Sequence, residues 1–149
     1  MRTLFLDFDG VLHPEFCHES KHFCCLPALA ETLEQVQDCE IVITSTWRLG
    51  RSLEDLRSIL PVKLASKVVG VTPRYCDLLD VPPTLVSFSR HAECWAWLSS
   101  TQRSHLPWLA IDDRPWLFKP FCPALLLVDG RTGFTREAGR QLLLRLGRM

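Results

Sequence analysis

The stretch Leu4-Phe5-Leu6-Asp7-Phe8-Asp9-Gly10-Val11-Leu12 decides the fold. Three large apolar residues run into two aspartates spaced i, i+2, then a glycine, then more apolar residues. A short run of this kind reads as a strand buried on both faces, predicted over residues 3–7. Gly10 breaks it just past the carboxylates. The aspartates therefore fall at the strand's C-terminal end, where open α/β sheets place their ligands. Side chains at i and i+2 share a face while a strand continues, so the two carboxylates converge and repel. A cation between them relieves that repulsion, and hard oxygen donors favour Mg²⁺.

Outward from this stretch, strand and helix signals alternate to the end of the chain. Residues 13–25 are irregular and polar. A helix is predicted from Leu26-Pro27 to about Gln37, with Pro27 in the first turn and Leu29, Leu33 and Val36 on one stripe. Residues 40–43 form a second buried strand, ending in the hydroxyl cluster Thr44-Ser45-Thr46-Trp47-Arg48. A hydroxyl there can donate to a phosphate oxygen, or it can cap a following helix. Residues 52–60 read as a helix stopped before Pro61. Residues 68–72 are a third strand, and 73–88 a Pro-containing connection. Ser89 is a plausible N-cap for a helix through Leu98. Arg90 sits in that helix's first turn, where a cation is unfavourable against the dipole by about 0.3–1 kcal/mol, which suggests a paired anion. Residues 108–111 form a fourth strand ending in Asp112-Asp113-Arg114-Pro115, and 124–128 a fifth ending in Asp129-Gly130. Thr135 caps a last helix with Leu142, Leu143 and Leu146 on its apolar face. Such alternation means βαβ units and a parallel sheet. It brings Asp7, Asp9, Ser45 with Thr44, Arg90, Asp112 and Asp113 to one edge.

A chain of 149 residues is enough for one domain over residues 1–149 with a real core. With 47% hydrophobic and 23% charged residues it reads as an ordinary soluble globular protein. A formal net charge of zero provides no whole-chain attraction to nucleic acid or an acidic membrane, and leaves a local basic patch open. No apolar run reaches membrane-span length, and Met1-Arg2-Thr3 leads straight into the first strand without a signal segment. Seven cysteines, an odd count without such a segment, fit reduced thiols in a cytoplasm. Cys17, His18, His22, Cys24 and Cys25 offer five zinc-type ligands in nine residues, although their spacing matches no standard zinc pattern.

Asp7-Phe8-Asp9-Gly10-Val11-Leu12 resembles the DxDG(V/T)L signature of the haloacid dehalogenase (HAD) superfamily. The hydroxyl cluster after the second strand, Arg90 at its helix start and Asp112-Asp113 resemble its remaining three motifs, in order and over nearly the whole chain. The resemblance implies a three-layer α/β sandwich with a doubly wound parallel sheet of order 5-4-1-2-3. It implies a Mg²⁺-dependent phosphatase in which Asp7 is the nucleophile and Asp9 the general acid/base. Ser45, favoured over Thr44 because Ser45-Thr46-Trp47 matches an (S/T)-x-W form, would bind the phosphate together with a motif-three cation. Arg90 is the first choice for that cation, and Lys63 and Lys67 are runners-up. Mg²⁺ would be held by Asp7, the Asp9 main-chain carbonyl, Asp112 and Asp113. To protonate a leaving group near neutral pH, Asp9 would need a raised pKa, which burial and neighbouring carboxylates could supply. Residues 13–26 and 73–88, the usual cap insertion points, are too short for a cap domain. An open site suits a phosphorylated small molecule or macromolecule, a nucleic-acid end included, or a partner subunit as lid. The alternatives are a catalytically weak module that binds a phosphorylated partner and a small zinc-binding interaction protein.

Overall fold

The strand segments alternate between two apolar faces, and that alternation organises the whole chain. A computed structural model describes residues 1–149. Its five strands are β1 (Arg2–Leu6), β2 (Cys39–Ile43), β3 (Val68–Val71), β4 (Trp108–Asp112) and β5 (Leu125–Leu127). They form one all-parallel sheet of order β3-β2-β1-β4-β5, the order implied by the sequence resemblance read from the other edge. The helices are α1 (Leu26–Leu33), α2 (Leu53–Ile59), α3 (Val62–Ala65), α4 (Ser89–Ser100) and α5 (Arg136–Gly147). No helix is long and apolar enough to cross a membrane.

Leu4 and Leu6 of β1, Ile41 and Ile43 of β2, and Leu109 and Ile111 of β4 pack with Leu29, Leu33, Leu56, Leu142 and Leu146 from α1, α2 and α5. The intervening Phe5, Val42 and Ala110 pack on the opposite face with Cys94, Trp97 and Leu98 of α4. Helices thus cover both faces, a three-layer α/β sandwich in which successive strand residues serve different cores. The connections at 13–25 and 73–88 hold only short 3₁₀ turns, at Glu19–Lys21, Tyr75–Asp77 and Pro83–Leu85. No cap domain lies over the sheet edge.

Local chemistry explains the element ends. Ser52 accepts from the Asp55 N–H while the Asp55 carboxylate accepts from the Ser52 N–H, a capping box that starts α2. The Thr135 hydroxyl accepts from the Ala138 N–H at the start of α5, as its position suggested. Ser89 does not cap α4: it is already helical, and Phe88 stands at the cap position without a side-chain bond. The first helix ends at Leu33 rather than near Gln37, and Asp38, in the left-handed region at φ 54°, turns the chain into β2. α3, one turn after Pro61, carries no periodicity long enough to announce it.

Candidate active site

Strand parity explains how the first motif meets α4. Leu6 pairs in register with Ile43 on one side and Ile111 on the other, so Asp7 lies between Thr44 and Asp112. Asp7 and Asp112 follow Phe5 and Ala110 by two residues and therefore face α4. Arg90 reaches both from the first turn of that helix. Its Nη1 donates to Asp112 Oδ2 at 2.8 Å and lies 3.3 Å from Asp7 Oδ2. All three side chains are buried. Burial, reinforced by Asp112 and only partly offset by Arg90, pushes the Asp7 carboxyl up to about 8. Burial alone would ease deprotonation of Arg90, but Asp112 and Asp7 more than reverse this and keep it a cation.

Asp113 completes an acidic cluster in which carboxylate oxygens of Asp7, Asp112 and Asp113 lie within 4.8 Å of one another. Burial, with Asp112 and Glu15 nearby, raises Asp113 to about 6. Asp112 is largely engaged, its Oδ1 accepting the Arg114 N–H at 3.0 Å and its Oδ2 taking Arg90. Asp113 Oδ1 is buried with no hydrogen-bond partner. An orphaned carboxylate oxygen in a crowd of anions is costly unless a cation completes it. The donor set therefore fits a hard divalent cation, with Asp113 and Asp7 as the natural direct ligands. Two glycines make room for the Asp113 carboxylate. A Cβ at Gly10, whose φ is +80°, would lie 2.1 Å from Asp113 Oδ2, and one at Gly130 would lie 2.5 Å away.

The Asp9 carboxylate is not part of that cluster. Gly10 turns the chain, and Asp9 accepts from His13 Nε2 at 2.7 Å on one oxygen and from Trp47 Nε1 at 3.1 Å on the other. Its side chain is 44% exposed, so the burial expected for it from sequence is absent, and Asp7 is the buried member of the pair. Ser45 is buried at the end of β2, and its Oγ accepts the Trp47 N–H at 3.2 Å. That is the capping role weighed for this cluster, and it leaves the hydroxyl proton to donate elsewhere. Arg48 fixes the loop. It donates to the carbonyls of Thr44, Ser45, Thr72 and Pro73 and pairs with Glu93 at 2.9 Å, stapling the ends of β2 and β3 to α4.

Lys63 and Lys67 do not reach this edge. Lys63 is exposed beside Glu34, and Lys67, just before β3, donates to the Val36 carbonyl at the opposite end of the strands. Nor do Cys17, His18, His22, Cys24 and Cys25 form one ligand set. His18 bonds Ser20, Cys24 is exposed, and the Cys25 thiol donates to the Thr132 carbonyl. Cys17 and His22 lie instead near His13. Both His13 nitrogens are engaged, by Asp9 and by the Phe23 N–H, so the group falls short of the four donors of a closed zinc site. His13, Trp47 and Arg48 are the site residues that sequence reasoning passed over. The (S/T)-x-W form contains Trp47, but only its serine suggested a role.

A family model for the HAD domain in Swiss Army Knife RNA repair proteins matches residues 3–138. The chain belongs to this family. No curated protein and no solved structure matches it. Membership places this HAD domain among hydrolases of the phosphoesterase type, and its acidic cluster is able to hold a metal ion.

The cluster makes the stability of the HAD domain depend on pH and cation. Asp7 binds its proton more tightly folded, at about 8, than at the ordinary value of 3.8. Its contribution is therefore complete below pH 3.8 and lost as pH rises towards 8. The loss from this carboxyl is about 1.4 kcal/mol per pH unit inside that window, or roughly 3–6 °C in Tm for a chain of this size. Thermal melts in EDTA between pH 5 and 8 are expected to show that fall, and Mg²⁺ to flatten it. A profile equally flat with and without Mg²⁺ would contradict the crowding of charge around Asp7.

Proposed function

We propose that this HAD domain is a Mg²⁺-dependent phosphomonoesterase that works through an aspartyl-phosphate on Asp7, and that it acts on phosphorylated RNA ends. The observation that carries the chemistry is Asp7 itself, a buried carboxylate beside Arg90 in a cluster of three acids, with Asp9 two residues on at the open side. The RNA end rests on the family's description as a domain of RNA repair proteins, and on a sheet edge without a cap to exclude a large substrate.

A divalent cation held by Asp7 and Asp113, with Asp112 adjoining, would neutralise charge between an anionic nucleophile and an anionic phosphate. Without a cation Asp7 carries its proton through much of the neutral range, and a cation held there would favour its carboxylate form. Asp7 Oδ then attacks phosphorus in line, forming the Oδ–P bond as the P–O bond to the leaving alcohol breaks. Asp9 gives that oxygen a proton. Arg90 and the Ser45 hydroxyl stabilise the charge spread over the transferring oxygens. Asp9, now a carboxylate, takes a proton from the water that attacks phosphorus and frees Asp7.

Phosphate release from short RNA oligonucleotides, phosphorylated at the 3′ or the 5′ end, tests the reading against free nucleoside monophosphates with Mg²⁺ and with EDTA. One of the end-phosphorylated oligonucleotides is expected to show the highest kcat/KM, with no turnover in EDTA. Equal or better turnover of the mononucleotides would remove the RNA end and leave the chemistry. No release from any ester would leave a binding module.

A further inference from the structure

Asp9 is held on both of its oxygens, and the groups that hold it are themselves locked. His13 is buried, and the Phe23 N–H donates to its Nδ1 at 3.1 Å, so the ring proton sits on Nε2 and points at Asp9 Oδ1, 2.7 Å away. His22 stacks on that ring at 4.5 Å, nearly parallel, and Phe23 meets it edge-on at 5.3 Å. Trp47, whose indole N–H donates to Asp9 Oδ2, is backed by Phe23 at 5.2 Å and has the Arg51 guanidinium over its ring at 4.6 Å. Neither ring can swing without leaving several contacts.

We infer that His13 and Trp47 form a two-donor clamp that positions Asp9 as the proton donor to the leaving group, an inference that rests on the phosphatase reading above. Each carboxylate oxygen has two acceptor positions, and each N–H occupies one. A proton carried by Asp9 is thereby left the outward positions, towards a cleft of about 200 Å³ lined by Asp9, His13, Glu15, His22 and Arg114. A leaving alcohol that departs into this cleft meets the proton where it is needed. When the P–O bond breaks, the proton moves from Asp9 to the departing oxygen and the clamp receives the carboxylate. When water attacks in the second step, one proton returns to Asp9. His13 and Trp47 keep their own protons throughout and are positioning residues.

The test uses the dependence of rate on leaving group, because a proton donor matters little for an ester whose leaving group departs as a stable anion. Wild type, Trp47→Phe, His13→Leu and His13→Gln are compared with Mg²⁺ on aryl phosphates graded from 2,4-dinitrophenyl to phenyl, following the burst of phenol release. Trp47→Phe keeps an aromatic ring in place and removes only the donor, which separates the clamp from folding. Trp47→Phe and His13→Leu are expected to lose about 10–100-fold with phenyl phosphate and no more than about twofold with the dinitrophenyl ester. Glutamine, whose amide N–H can reach the Nε2 position, is expected to restore part of the His13→Leu loss. A loss uniform across the series, or none at all, would overturn the clamp while leaving the phosphatase reading in place. Absence of wild-type turnover on every ester would overturn both.

Discussion

Asp7→Asn is expected to lower phosphomonoester turnover by at least about 10⁴-fold, as removal of a nucleophile from a covalent mechanism does. The fold should survive. Asn has the size of Asp, and its amide oxygen can still accept from Arg90, which lies 3.3 Å from the present carboxylate. The substitution also removes a buried negative charge that Asp112 and Asp113 oppose. In EDTA near pH 8, where the tightly held proton of wild-type Asp7 no longer stabilises the fold, the variant should melt at or above the wild-type temperature. In Mg²⁺ the order should reverse, because the variant has lost a cation ligand. Turnover, melting and cation dependence together separate a catalytic role from a structural one. Near-normal turnover would place the nucleophile elsewhere.

Arg90→Ala should be the most damaging single change to site and fold together. The guanidinium is buried between Asp112, at 2.8 Å, and Asp7. Its loss leaves buried Asp112 without its cation and removes the charge that partly offsets the burial of Asp7, and breaking a buried pair typically costs about 3–5 kcal/mol. Chemical denaturation should show the loss at pH 7. Turnover should drop about 10²–10³-fold, the size of effect expected when a preorganised charge is removed from a transition state. Arg90→Lys keeps the charge without the planar fork, and should recover more stability than activity. Lys63→Ala, on an exposed side chain at the other end of the strands, should change neither. Were Lys63→Ala the more harmful of the two, the assignment of Arg90 would be wrong.

Much of this arrangement is legible in the sequence. The apolar runs are short, bounded by glycine, proline and acidic residues, and alternate with helical periodicity, which is sufficient to imply a parallel sheet. Strand parity does the rest, since residues two beyond Phe5 and Ala110 must face whatever Phe5 and Ala110 face. That is why Asp7, Asp112 and Arg90 meet. The parts that stay hidden depend on pairs distant in sequence or on single turns. Trp47 reaches Asp9 across 38 residues and Arg48 reaches Glu93 across 45, and neither contact leaves a local pattern. His13 lies only four residues from Asp9, but its role needs the Phe23 N–H to choose its tautomer, and Phe23 is delivered by a left-handed turn at φ 66°. Burial of Asp9 is what a continuing strand would give, but the chain turns at Gly10 and leaves that side chain at the rim. The cysteine and histidine run as a whole resembles a ligand set in composition, but composition carries no direction, and the loop brings only Cys17 and His22 together while His18, Cys24 and Cys25 take other surroundings.

Passage of phosphate through Asp7 is tested most directly by trapping it there. Wild-type protein would be quenched during the burst with 2,4-dinitrophenyl phosphate and Mg²⁺, reduced with borohydride, and digested for peptide mass analysis. An acyl phosphate is reduced to the alcohol, so Asp7 is expected to appear as homoserine, with substrate and Mg²⁺ both required. Rapid turnover with Asp7 unmodified, or with the label on a different residue, would contradict it.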